Sequence, residues 1–330
     1  MEATTIRGAV IGADLGGTKL MAGLFDGTDQ LVARERVEVG GLDQDQLVEA
    51  LADMVASLTA RSTEPVLGAG FGLPTTIDQR TGIAVQAANL PIADLPVRDI
   101  LRERTGIEIF LDNDANVAAL AEQRRGAGAG VTDDLIMVTL GTGFGGGIVA
   151  GGRIVAGAIG AGAELGHMSI DHDGLPCVSP NCPGIGCIET YAGGMAMMRE
   201  AAKLIEREPQ GALAAAVAAG APADAETLVR LTREGDTAAT AVITEMAERL
   251  GTAFVNFVNI FNPGLIVVGG GFSPSLDLLL PIARKVVEER ALRPGNTYVR
   301  IVPAEFGPDA GMVGAALMAR DGLRRGVGIG

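Results

Sequence analysis

The stretch LGTGFGGGIVAGGRIVAG, residues 140–157, carries Gly141, Gly143 and Gly146 in the literal pattern G-x-G-x-x-G. That pattern marks a dinucleotide fold only where a strand enters it and a helix leaves it. Asp134 to Leu140 reads as the entering strand, but no helix follows. Ile148 to Ala150 and Arg153 to Val155 are instead two short apolar runs around Gly151-Gly152, a hairpin with a two-residue glycine turn. The dinucleotide reading fails on this context. A strand, a glycine turn and a second strand remain, a unit whose bare backbone N–H groups can turn toward a phosphate.

The same unit occurs near the start of the chain, in GAVIGADLGGTKLMAGLFD, residues 8–26. Ala9 to Ile11 and Leu20 to Leu24 read as its strands, and Asp14, Gly16, Gly17, Thr18 and Lys19 as its turn. Glycine admits the backbone angles such a nest needs, and Asp14 can hold Mg2+ through water, since that ion keeps most of its waters. By itself this could equally be a plain glycine turn. Two such hairpins about 125 residues apart, counted from Gly16 to Gly141, point to an internal duplication and to two related lobes.

The stretch ELGHMSIDHDGLPCVSPNCPGIGCIE, residues 164–189, holds all the chain's cysteines, Cys177, Cys182 and Cys187, and both its histidines, His167 and His172. The thiols are spaced C-x4-C-x4-C, with prolines and glycines between them that force turns. Three thiolates and one imidazole satisfy tetrahedral zinc and leave no position open for chemistry. We therefore read His167, Cys177, Cys182 and Cys187 as a structural zinc set. Glu164 and Glu189 flank it, and a pinned loop can hold such carboxylates where they accept charge-assisted hydrogen bonds from hydroxyls.

The 330 residues suffice for two lobes, and the net charge of −14 argues against a nucleic-acid partner, which needs a basic footprint. The odd cysteine count, taken with the metal reading, suggests a reducing cytoplasm. No signal peptide or membrane-spanning run is visible. Aromatic residues make up 3% and tryptophan is absent, so ligand recognition is expected to be polar.

Between these landmarks, helical spacing predicts helices over 43–61, 99–104, 190–207, 224–233, 236–261, 275–292 and 309–320. Apolar runs predict strands over 66–71, 107–111, 265–268 and 298–302. Residues 85–95, with two prolines, read as a loop containing Asn89 as a candidate polar ligand. Residues 208–223 read as a connector. In DNDANVAALAE, residues 112–122, a strand ends at Asp112 and a helix begins. One cap would serve that helix, and Asp112, Asn113 and Asp114 exceed the need. Gly270 and Gly271 follow the apolar run over 265–268 and can lie against a nucleotide.

Together DLGGTK (14–19), DNDANVAALAE (112–122), LGTGFGGG (140–147), ELGH (164–167), GCIE (186–189) and VVGGG (267–271) resemble the ROK family of sugar kinases and related repressors, over nearly the whole chain. The resemblance implies an α/β fold of actin-like, hexokinase type (ribonuclease H-like), with two lobes and a cleft. It implies residues 1–112 in one lobe, 113–307 in the other, and helix 308–330 packing back on the first. It implies ATP, Mg2+ and a hexose, with glucose phosphorylated at its 6-hydroxyl as the first expectation, and a homodimer. Residue by residue, it makes Asp114 the catalytic base. Asn113, Glu164, His167 and Glu189 become sugar ligands, with His167 serving the zinc as well, beside the candidate Asn89 read from its loop. Gly16, Gly17, Thr18, Gly141, Thr142, Gly143, Gly270 and Gly271 resemble the nucleotide loops, to which the hairpin reading adds Asp14 and Lys19. Another acceptor, such as fructose or N-acetylmannosamine, polyphosphate as donor, or a non-catalytic sugar sensor are the competing expectations. A sensor of the repressor type needs a helix-turn-helix ahead of the fold, and the first strand begins already at Ala9. The chain departs from the family's C-x-C-x4-C spacing, and has Pro74-Thr75 where Pro-Gly is common, a position expected to border the sugar.

Overall fold

The computed structural model describes residues 8–87 and 90–326. The elements run β1 (Ala9–Leu15), β2 (Lys19–Phe25), β3 (Leu31–Glu38), α1 (Gln44–Ala60), β4 (Val66–Leu73), β5 (Ile77–Asp78), β6 (Ile83–Gln86), β7 (Ala93–Leu95), α2 (Val97–Thr105), β8 (Glu108–Asn113) and α3 (Asp114–Arg125). They continue with β9 (Leu135–Leu140), β10 (Phe144–Ala150), β11 (Arg153–Ile154), α4 (Gly194–Arg207), α5 (Ala212–Ala218), α6 (Ala225–Arg233) and α7 (Thr237–Phe261). The last are β12 (Leu265–Gly269), α8 (Leu276–Arg290), α9 (Gly295–Tyr298), β13 (Arg300–Pro303) and α10 (Ala310–Arg325).

Two five-stranded sheets share one topology. Their orders are β3-β2-β1-β4-β8 and β11-β10-β9-β12-β13, each a third-second-first-fourth-fifth sequence of strands. In the first, β2 pairs antiparallel with β1 and β3, while β4 and β8 add in parallel. In the second, β10 and β11 form the antiparallel hairpin, turning on Gly151 and Gly152 with φ of 56° and 76°, and β12 runs parallel to β9 and β13. The duplication read from two glycine hairpins is thus carried by whole sheets. Parallel strands are covered on both faces and so read as continuous apolar runs, as in β12, every residue of which is buried.

The described residues cluster into two compact units. The first comprises the residues up to Val131, Gly147–Ala163 and those from Glu305 onward; the second comprises Thr132–Gly146 and Glu164–Ala304. Helix α3 and the β11 segment therefore cluster with the first unit, which differs from the expected change at residue 112. Helix α10 belongs to the first unit too. In that unit Ile11, Leu15, Leu20, Leu24, Leu51, Met54 and Phe71 form the larger core. A second cluster of Val10, Phe25, Ala121, Met312 and Ala319 packs α10 against the other side. Asp43 starts α1 with a reciprocal cap, its carboxylate accepting from Gln46 N–H at 2.9 Å while its own N–H donates to Gln46 Oε1 at 3.0 Å.

Several local expectations need correction. Residues 31–38, left unassigned from sequence, form β3, an edge strand whose alternating exposure explains its charged face. The loop over 85–95 contains the end of β6 and all of β7, which with β5 make a three-stranded sheet of order β5-β6-β7. Strands this short carry too little periodicity to be seen past two prolines. Residues 208–223 contain α5: Leu213 is buried and alanine favours the helix. Strand β1 extends through Asp14 and β2 begins at Lys19, so the turn is only Gly16-Gly17-Thr18.

Candidate active site

In the first unit the end of β1, the β8–α3 junction and the start of α10 meet. Asn113 is the cap of α3: its Oδ1 accepts from Ala115 N–H at 2.9 Å and Asn116 N–H at 3.4 Å. Its amide NH2 remains the group with which it can donate to a ligand. Asp112 is buried and anchors the junction, accepting from Asn116 Nδ2 and from Asn113 N–H, each at 2.8 Å. Its burial raises its carboxyl above the usual range, and those two bonds oppose the rise. Asp114 is then the first residue of α3, where the helix dipole favours a carboxylate.

Asp14 comes close to Asp114. Gly72 lies beside both: a Cβ there would stand 3.4 Å from Asp14 Oδ1 and 3.3 Å from Asp114 Cα. At Gly311 a side chain would run into the Asp14 carboxylate, so the first turn of α10 can approach it only as glycine. Burial, and then the charge of Asp114, push Asp14 up to about 7. A carboxylate held at such a cost fits a cation. Gly16 N–H donates to Lys19 O at 2.7 Å, while Gly17, Thr18 and Lys19 are exposed.

In the second unit Gly141, Thr142 and Gly143 turn between β9 and β10, with Gly141 N–H donating to Gly143 O at 3.1 Å. The carbonyls of Gly141 and Thr142 accept from Gly194 and Met195 N–H, at 2.8 and 3.0 Å, which ties the turn to the start of α4. Gly270, at φ 91°, packs on Leu140, and Phe272 N–H donates to Leu140 O at 3.0 Å. The two glycine segments predicted to meet a nucleotide are therefore neighbours here. The Glu189 carboxylate is also at this turn: its Oε2 accepts from Phe144 N–H at 2.9 Å.

Two 3-10 turns, Leu165–His167 and Ile188–Thr190, carry His167 and Glu189, and Ile188 N–H joins them by donating to Met168 O at 2.9 Å. Between them the cysteine loop has two isolated bridges, Ser169 to Cys187 and Pro176 to Ile185, in place of a sheet. His167, Cys177, Cys182 and Cys187 converge, their ligand atoms all within 4.8 Å of one another. Cys177 Sγ stands 3.6 Å from His167 Nδ1, and Cys182 Sγ 3.9 Å from Cys187 Sγ. A tetrahedron with Zn–S of about 2.3 Å has edges of about 3.8 Å, so the donor set fits zinc in spacing as well as in chemistry. His172 stands apart, exposed and paired with Asp173. Asn89 lies outside the described residues.

A profile of the ROK family matches residues 10–322. The chain belongs to the ROK family. It is 32% identical to a glucokinase of Halalkalibacterium halodurans over 94% of each chain. It is 30% identical to a putative xylose repressor of a Caldicellulosiruptor species, over 96% of this chain and 79% of that one. The crystal structure of a ROK family glucokinase from Streptomyces griseus in complex with glucose and AMPPNP superposes with a TM-score of 0.80, at 32% identity, over 96% of this chain and all of that one. The fold is the actin-like α/β type of the ROK sugar kinases.

Three features of this ROK site lie outside the sequence reading: Gly194 and Met195, whose N–H groups bond the 141–142 carbonyls; Gly311, which admits Asp14; and the Phe144 N–H. Each is a backbone approach from a distant segment. Thr75, which stands where the resemblance leads to the expectation of glycine, is buried. Its Oγ1 donates to Gln86 O at 2.8 Å and accepts from Gln86 N–H at 3.1 Å, clamping the end of β4 to β6.

Proposed function

We infer that this ROK protein is a sugar kinase that transfers the γ-phosphoryl group of ATP to the 6-hydroxyl of a hexose, with glucose the first acceptor to test. The observation that carries the reading is the bond from Phe144 N–H to Glu189. It sets the Glu189 carboxylate, the candidate for binding a sugar hydroxyl, on a glycine turn suited to phosphate, two residues beyond Cys187 of the Cys3His cluster. The names of the glucokinase relatives and the ligands of the Streptomyces griseus structure support the same assignment.

Phosphoryl transfer needs positioning and neutralisation of charge more than covalent help. The turns at 16–18 and 141–143 offer N–H groups to the phosphates, and Gly270-Gly271 offer a flat surface to the nucleoside. Asp14 would hold Mg2+ when it arrives with ATP, and the ion would supply charge neutralisation at the phosphates. His167, with Nδ1 toward Cys177, would hold zinc through that nitrogen and keep Nε2 as the N–H donor, which would fix the tautomer and the aim of a sugar contact. The Asn113 amide, Glu164, His167 and Glu189 hold the ring hydroxyls. Asp114 accepts the proton of the attacking hydroxyl. An alcohol is too weak an acid to ionise first, so the proton leaves as the O–P bond forms.

The test is ADP release across a panel of hexoses and acetylated amino sugars. Release with glucose at the highest kcat/KM supports the full reading. Release with another sugar alone corrects the acceptor, and no release with any of them overturns the kinase reading in favour of a sugar-sensing protein like the repressor relatives.

A further inference from the structure

A cavity of about 880 Å3 is not lined by Asp14 or Asp114. It lies in the first unit against β8, the edge strand of its sheet, and has the size of a small-molecule site. Its walls are basic in a chain of net charge −14. Arg98 and Arg102 come from α2, Arg124 from α3, Arg153 from β11, and Arg324 and Arg325 from the end of α10, with Arg80 at the rim. These are seven of the protein's 23 arginines, drawn from separate segments.

The acids facing them do not balance this charge. Three line the cavity: Glu108, Asp112 and Asp321. Glu108 is engaged by Arg102 at 2.8 Å. Asp112 is turned to Asn116 and the Asn113 N–H. Asp321 is shared by three guanidinium groups, those of Arg124, Arg324 and Arg325, at 3.2, 3.7 and 3.9 Å. Arg80 and Arg98 have carboxylate neighbours outside the cavity, Asp78 at 2.8 Å and Asp99 at 3.7 Å. Arg153 has no ion pair among the described residues. Guanidinium groups that outnumber their carboxylates and converge on one space repel one another until an anion enters. Their planar forks match phosphate and carboxylate oxygens two at a time.

We propose that this arginine-walled cavity is a binding site for a small organic or inorganic polyanion bearing phosphate or carboxylate groups, separate from the sugar and nucleotide residues. Its floor is β8, which runs directly into Asn113 and Asp114, so a bound anion would brace the strand that presents them.

The test is calorimetric titration of the full chain with pyrophosphate and, in a second arm, with citrate. Comparison with Arg153→Ala/Arg324→Ala decides whether the cavity is responsible, because neither residue belongs to the catalytic set. At least one of the two anions should bind the wild type, with affinity falling as salt rises and at least tenfold weaker in the double variant. If that variant fails to fold, Arg153→Gln, an exposed change, should weaken binding measurably by itself. No binding of either anion, or equal binding by wild type and variant, overturns the proposal.

Discussion

Replacing Asp14 by asparagine should stabilise the ligand-free protein at neutral and alkaline pH while destroying its activity. The Asp14 carboxyl is raised from 3.8 to about 7, chiefly by burial and then by Asp114. A raised value means that the folded state resists ionisation. The contribution to stability is complete below about pH 4, where both states carry a neutral group. It is lost as pH climbs through about 7, where the unfolded chain has long since ionised. A shift of about 3 pH units at about 1.4 kcal/mol each gives a cost of about 4 kcal/mol above pH 7. The partly accessible edge of Asp14 makes that an upper bound. For a protein of this size each kcal/mol moves Tm by about 2 °C. Asp14→Asn should thus melt up to about 8 °C above wild type at pH 8, with the gap vanishing toward pH 4. Differential scanning calorimetry without nucleotide or divalent ions measures this. Mg2+ with nucleotide should narrow the gap from the wild-type side. A gap independent of pH, or a less stable variant at pH 8, would refute the reasoning.

Gly143→Ala should raise KM for sugar and for ATP together, each about tenfold for a loss of about 1.4 kcal/mol. The new methyl would displace the Glu189 carboxylate that bonds Phe144 N–H, and an effect on one substrate alone would contradict that link. Elemental analysis should find one zinc per chain, lost in Cys182→Ser, with a larger rise in sugar KM than in ATP KM; a metal-free wild type with full activity would end the structural-zinc reading. Thr75→Gly removes two hydrogen bonds to Gln86 and adds chain entropy, a loss of about 2 kcal/mol. Denaturant unfolding should show it, and unchanged stability would mean that the clamp contributes nothing. Glu122→Ala should cost about 3 kcal/mol, since this buried carboxylate accepts from Ala127, Glu305 and Phe306 N–H.

What the sequence conveyed was chemistry that repeats or concentrates. The two glycine hairpins were legible because each follows a buried apolar run, and the sheets they open proved to share one strand order. The Cys3His cluster was legible because the scarce residues crowd into 26 positions, from Glu164 to Glu189. What stayed hidden depends on distant segments meeting. Nothing local marks Gly311 as the residue that admits Asp14, or Gly194 as the donor to Gly141. The division of labour within Asp112, Asn113 and Asp114 was half visible. An excess of polar groups over one cap was countable, but burial decides which of them anchors, which caps and which is presented. The strand over 31–38 was missed although its alternation was present, because its apolar face is thin and broken by arginine and glutamate.

The most direct measurement follows ADP release and glucose binding side by side in wild type and Asp114→Asn. The carboxylate at the head of α3 is expected to take the proton without holding the sugar. Turnover should therefore fall at least a thousandfold, within the range of general-base catalysis, while the calorimetric affinity for glucose stays within a few-fold of wild type. Near-normal ADP release by Asp114→Asn, or loss of sugar binding equal to the loss of turnover, would contradict that assignment.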